Sequence, residues 1–298
     1  LAPEDERQAP PPVGAPVDPV LPTPSESVLD NGLRVIVARS SDLPLVSAAL
    51  IVRAGAWADP KGEAGAMSMT AAMLTEGTTS RTAPQIAQEI EALGASLSSS
   101  AGLESTSVSL TVMSDKAAPA FAILADVVRN PAFAAEELAR QTAQALDGMA
   151  VAYEDPGQLS SMAAGPIVFA GTPFGHPADG TPASLPRLTP AGLKALHERH
   201  FRPDNAILVL SGDVSPEEGL ALARQAFGDW GRPAQALPAQ PRVSPAADRQ
   251  VVVIDLPGAG QASVRLAKPA IARKDPAYYP GIVANSVLGG GYSARLNQ

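Results

Sequence analysis

The chain has three histidines in 298 residues, and two of them stand where a metal could be held. His197 and His200 lie in the stretch TPAGLKALHERHF, which opens on a Thr-Pro helix start. Positions i and i+3 share one helical face, so with Glu198 the pair could present two imidazoles and a carboxylate to zinc. Two ligands without a third seldom retain a metal. Packing or surface histidines are therefore the expectation, and a rebuilt metal site is the alternative. His176 sits in the loop FGHPADG and is given no role.

Nucleophile chemistry finds little support. There is no cysteine, which removes disulfides, thiolate metal sites and a thiol nucleophile together. No G-x-S-x-G occurs, and the serines at 96–100 fall in a strand pattern with no histidine expected nearby. Gly289, Gly290 and Gly291 lack the following Lys-Ser/Thr of a phosphate-binding loop.

Composition bounds the rest. With 45% hydrophobic and 17% charged residues, a packed core is expected. A net charge of −8 argues against nucleic acid and against an anionic membrane surface. No apolar run approaches the roughly 18 residues of a membrane span. The chain begins at Leu1 rather than Met, which suggests a removed signal peptide and a periplasmic or otherwise exported protein; a cytoplasmic one stays open.

The elements that would position any chemistry are legible in order. Residues 1–27 are rich in Pro, Ala and acids and read as an extended arm. Residues 28–39 alternate around Asn31-Gly32 and predict a hairpin. Residues 45–54 form a second strand, and 65–78, GAMSMTAAMLTEGT, a helix with no interior Gly or Pro. A Thr82-capped helix ends at Gly94, and two strands fill 95–112. Helices are expected at 115–128, 136–152, 159–168, 189–201 and 215–230, with a buried strand at 205–213. A Pro/Ala linker at 232–247 would separate a unit at 28–231 from a second, 248–298, too short to close its own core. That second stretch restarts a strand, turn, strand pattern and ends in a helix-like YYPGIVANSVLGGG.

NGLRVIV, VRAGAWADP, GAMSMTAAMLTEGT, GASLSSS, TVMSD, DVVRNP, EDP, FRPDNAILVLSGD and LGGGYSARL follow one another in an order that resembles the pitrilysin/insulinase-like zinc peptidases, family M16. Gly65, Met73, Leu74, Gly77 and Thr78 match the family's catalytic helix. The resemblance implies an α+β, M16-like (LuxS/MPP-like) fold, an antiparallel sheet covered by helices, with one complete repeat and the start of a second. Laid on the family's H-x-x-E-H motif, the two zinc histidines and the catalytic glutamate become Ser68, Ala72 and Ala71. The third-ligand region falls on Asp147 or Gly148, and a lone carboxylate does not hold catalytic zinc. It also places Phe201-Arg202-Pro203 at a structural helix-to-strand corner. The family's Arg/Tyr pair would lie beyond Gln298.

The resemblance implies a non-catalytic M16-like subunit that pairs with an active zinc metallopeptidase and helps form its substrate chamber, a self-dimer being the other pairing. No cofactor is expected in this chain, zinc belonging to the catalytic partner. One function could survive loss of the metal. The family binds peptide or unfolded polypeptide as an added strand on a sheet edge, which falls here on Ser96, Leu97, Ser98, Ser99, Ser100 and Ala101; an ordinary edge strand is the plain alternative. A stand-alone peptide-binding or assembly protein, and a divergent metallopeptidase using Asp147, His197 or His200, remain alternatives.

Overall fold

A computed structural model describes residues 14–15, 22–241, 243 and 250–297. Most of the arm expected at 1–27 therefore lies outside the described residues. Its last residues do not: strand β1 (Ser25–Val28) begins inside the expected arm and pairs antiparallel with β2 (Arg34–Arg39). The Asn31-Gly32 turn joins them, and the Asn31 side chain accepts from Leu33 N while donating to the carbonyls of Phe227 and Trp230.

Four further strands complete one sheet: β3 (Leu45–Val52), β4 (Ser96–Ala101), β5 (Thr106–Met113) and β6 (Ala206–Gly212). The order is β1-β2-β6-β3-β5-β4. The expected all-antiparallel sheet needs one correction. β6 runs parallel to β2, with Arg34 opposite Ile207, while it pairs antiparallel with β3. The chain reaches β6 only after a long helical excursion, the kind of crossover a parallel neighbour requires.

Alternation within each strand turns one face of the sheet inward. Val37, Leu210, Ala48 and Leu110 line up in one row across the strands, and Val35, Leu208, Leu50 and Val108 in the next. Helices α1 (Ala66–Met73), α3 (Ala117–Arg129) and α7 (Pro216–Phe227) cover that face with Met67, Met73, Phe121, Leu124 and Phe227, all essentially solvent-free. Helix α2 (Ala83–Ala92) starts at a Thr82/Gln85 capping box, and α7 at a Ser215/Glu218 box. Helices α4 (Ala135–Tyr153), α5 (Pro156–Val168) and α6 (Pro190–His200) complete the body.

The second unit departs from expectation. No strand forms among the described residues at 250–271, and Val251, Val253, Val264 and Leu266 are exposed. A two-stranded hairpin with no face to pack on is marginal in water. Helix α8 (Tyr278–Gly289) does form, with Tyr279, Val283 and Val287 exposed. The described part of the expected linker is held against the body: Arg202 donates to the carbonyls of Gln235 and Pro233, and Arg232 pairs with Asp204 at 3.0 Å.

Candidate functional site

Helix α1 stands over β4 and β5, beside α4 and α6. Its N-cap is Gly65, at φ 89°, which supplies no side-chain cap. The exposed amides at the helix start must find an acceptor elsewhere. Asp59 provides it: one carboxylate oxygen accepts from Met67 N at 2.7 Å and the other from Gly65 N at 2.8 Å. The second oxygen also meets His176 Nε2 at 3.1 Å, and the Asp59 side chain is 1% exposed. The hydrogen bond from Asp59 is the main cause holding the His176 pKa above its ordinary value. His176 therefore has the structural role that the sequence withheld from it. The signal was available: a helix opening on glycine needs a cap from outside, and Asp59 is the buried acid within reach.

Gly65 also lies against the loop that carries His176. A Cβ added there would come 2.8 Å from Gly180 Cα, and its left-handed backbone is unfavourable for any other residue. Gly65→Ala should cost about 2 kcal/mol, read as a shift in denaturation midpoint. A loss below ~0.5 kcal/mol would mean that the two loops part freely.

The three motif positions are occupied by groups already committed elsewhere, or by groups without lone pairs. Ser68 donates to Asp179 at 3.2 Å. Ala71 is fully buried and Ala72 half-buried. Helix α4 is stitched to the end of this segment by Gln141, which donates to Glu76 at 2.6 Å, and by an Arg140–Glu76 ion pair. Asp147 and Gly148 lie exposed on α4, whose buried side chains are Leu138 and Met149. The zinc that this fold family carries does not fit these residues. Among the described residues no three His, Cys, Asp or Glu side chains come together to hold a metal ion.

His197 and His200 are buried, at 7% and 3% exposure. His197 Nε2 lies 2.8 Å from the Val128 carbonyl, which can only accept, so that nitrogen carries the hydrogen. Its ring stacks on Phe201 at 4.5 Å, and His200 meets the edge of Trp57. Burial lowers both pKa values to about 4. Glu198 points outward to Lys194 and joins neither. The structure therefore separates the three residues that shared one stretch of sequence.

The candidate peptide-binding residues form strand β4, the sheet edge on that side, pairing only with β5 among the described strands. Leu97 and Ala101 pack against the core, whereas Ser96, Ser98 and Ser100 face outward. Ser99 is half-buried on the core side, its hydroxyl oxygen without a hydrogen-bond partner among the described residues. Just past β4, Gly102 and Leu103 accept from the backbone of Ala56 and Trp57. Trp57 in turn borders an open cleft of about 640 Å³ between the loop at 57–64 and the loop at 171–187.

A six-stranded sheet covered by helices, with α1 beside α4 and no group of three metal-donor side chains among the described residues, defines a mixed α/β scaffold. Two family profiles match the chain: "Insulinase (Peptidase family M16)" over residues 34–177 and "Peptidase M16 inactive domain" over 187–298. The chain belongs to the M16 peptidase family. Strand β6 falls within the second match yet completes the first sheet. A Rickettsia bellii protein described as an uncharacterized zinc protease is 31% identical over 67% of this chain, which spans 49% of that protein's length. The crystal structure of a peptidase M16 inactive domain from Pseudomonas fluorescens superposes with a TM-score of 0.75 at 28% identity, covering 92% of this chain and 66% of that one. The periplasmic protease PqqL from Escherichia coli shares the fold, with a TM-score of 0.68 at 20% identity over 75% of this chain and 25% of its own. Among the described residues, no helix is long and apolar enough to cross a membrane.

Proposed function

We propose that this chain is a non-catalytic M16 subunit that pairs with an active zinc peptidase and offers part of the wall and the peptide-binding edge of its substrate chamber. The observation that carries the proposal is an ordered helix α1 without metal-binding side chains at the motif positions. Helix α1 is capped, buried and tied to α4, yet holds Ser68, Ala71 and Ala72 where ligands and base would stand. Alanine has neither a lone pair for a metal nor a proton to move. What survives is scaffold and edge.

Strand β4 supports a substrate role. Adding a strand to an edge uses main-chain hydrogen bonds and needs no particular side chain. Across the outward face of β4 and β5 run Ser96, Ser98, Ser100, Ser107, Ser109 and Thr111, a polar surface suited to a wet chamber wall. A periplasmic or otherwise exported location belongs to the same proposal, supported by the location given for PqqL.

The test has two arms. The isolated chain, loaded with zinc and desalted, should retain well under one zinc and hydrolyse no peptide. Affinity capture from its host should recover an M16 chain bearing H-x-x-E-H, and metal-dependent peptidase activity should need both. Close to one tightly held zinc per isolated chain would sink the proposal. Recovery of no peptidase would leave a stand-alone binding or assembly protein.

Edge binding is tested by proline. Successive N–H groups on a strand point to opposite sides, so one of Ser100→Pro and Ala101→Pro interrupts the β5 ladder while the other blocks the open edge. The variant that keeps the wild-type melting temperature should lose most binding of an extended peptide. If it binds as the wild type does, β4 is an ordinary edge.

A further inference from the structure

The cleft beside Trp57 carries charge opposite to that of the molecule. Overall the chain has 22 cationic and 30 acidic residues. The cleft is lined by Lys61, Arg187 and His176 with Asp59 as its one acid. Asp59 is spent: its carboxylate is answered by two α1 amides and by His176. Lys61 and Arg187 are exposed, and neither makes an ion pair or side-chain hydrogen bond within the described residues. They come from opposite walls. Arg187 Nη1 would lie 3.7 Å from a Cβ placed on Gly62, the residue after Lys61. The indole of Trp57 forms a third side, anchored by its ring N–H to the Glu104 carbonyl at 3.4 Å.

Trp57 links this cleft to the Ala101 end of β4, since its backbone N–H donates to Leu103, two residues past that strand. Beyond Ala101 the chain turns through Gly102 and Leu103, whose carbonyls accept from Ala56 and Trp57. A peptide paired along β4 must leave the sheet there, next to Trp57. Its next residues would then meet one guanidinium, Arg187, and one ammonium, Lys61, neither with a counter-charge among the described residues.

We infer that Lys61, Arg187 and Trp57 form a specificity subsite for an acidic residue flanking the peptide segment held on β4. The inference rests on the edge-binding proposal and names its substrate class: polypeptides with a carboxylate just outside a β-prone stretch. A carboxylate suits the pair, since a guanidinium offers parallel donors and an ammonium a point charge.

The experiment uses fluorescein-labelled peptides with a common seven-residue β-prone core. One carries Glu-Glu at its N-terminal flank, one at its C-terminal flank, and a third carries Gln-Gln at both. Binding to the full chain is followed by anisotropy at low salt. One Glu peptide should bind about tenfold tighter than the Gln peptide, the order that two charge-assisted contacts supply. The double variant Lys61→Gln/Arg187→Gln should bind all three alike, and raised salt should narrow the difference in the wild type.

Equal binding of Glu and Gln peptides by the wild type overturns the subsite, as does discrimination that persists in the double variant. The edge-blocking proline separates the two ideas. If it weakens all peptides while Glu and Gln bind alike, the edge stands and the subsite falls. If it changes nothing while the Lys61/Arg187 variant abolishes the preference, the cleft binds carboxylates but the edge reading fails. No measurable binding of any peptide overturns both.

Discussion

Asp59→Ala should lower the stability of this chain by about 3 to 5 kcal/mol, with loss of order centred on α1. The carboxylate is 1% exposed and accepts three hydrogen bonds, two of them from the otherwise unsatisfied amides of Gly65 and Met67. Bonds to a charged group contribute about 1.5 to 3 kcal/mol each, and a carboxylate at a helix N-terminus also meets the positive end of the helix dipole. Removing it strands the two amides and His176 in one step. Asp59→Asn keeps an acceptor oxygen but no charge, so about half of the loss is expected. Urea denaturation measures both, and a cost below ~1 kcal/mol for the alanine variant would show that α1 does not depend on this cap.

The same variant has a spectroscopic signature. His176 is raised chiefly by Asp59, so its NMR titration should move downward in Asp59→Ala. The sign for stability follows from that direction. A histidine with a raised folded pKa contributes fully below its unfolded value and loses that contribution as pH rises through the folded one.

His197 acts with the opposite sign. Its pKa is about 4 in the folded chain, lowered by burial from an ordinary 6.5. At neutral pH both folded and unfolded forms are uncharged, and there is no penalty. As pH falls from about 6.5 to 4 the unfolded chain takes up the proton first, so stability drops, reaching a loss of about 3 kcal/mol for a shift of roughly 2.5 units. Below that range the loss levels off. His200, lowered to about 4 in the same way, adds to it.

The physical cause is the geometry around the ring. Nε2–H is committed to the Val128 carbonyl, and the ring lies among Phe133 and Phe201, so a second proton would be a buried charge whose desolvation outweighs the attraction of Glu198. His197→Phe keeps the ring packing and should visibly flatten the stability profile between pH 4 and 7, and the double variant with His200→Phe should flatten it further. Denaturation midpoints across that range decide the matter. A wild-type slope that survives both substitutions would mean the acid sensitivity arises from carboxylates instead.

Signals that act over a few residues were readable without coordinates. Alternation at 28–39 marked the strands of the first hairpin, because a two-residue period is dictated by the strand itself. The Thr82 cap and the Ser-Pro-Glu-Glu run from Ser215 marked two helix starts, because capping acts within about four residues; the Gln85 half of the first box came from the structure. The Asn31-Gly32 turn and the helix at 65–78 were legible for the same reason. So was the chemistry that is missing: serine and alanine at 68, 71 and 72 lack the donors of a catalytic zinc site in any conformation.

Local pattern did not say which strand would be inserted beside which. β6 enters parallel to β2 through contacts between residues more than 170 positions apart, and β4 is an edge because β5 alone pairs with it among the described strands. Nor could it turn His197 and His200 from a plausible ligand pair into two core side chains, since that depends on Val128, Phe133 and Trp57 arriving from other elements. The strand pattern at 250–271 is a converse case: the right alternation without a partner surface makes no sheet. Sequence by itself thus determined most element types within 28–231 and the family, both properties of neighbouring residues and side-chain chemistry. Tertiary structure alone decided the Asp59–His176 cap, the parallel insertion of β6 and the cationic cleft beside Trp57, because each joins groups that meet only when the chain closes on itself.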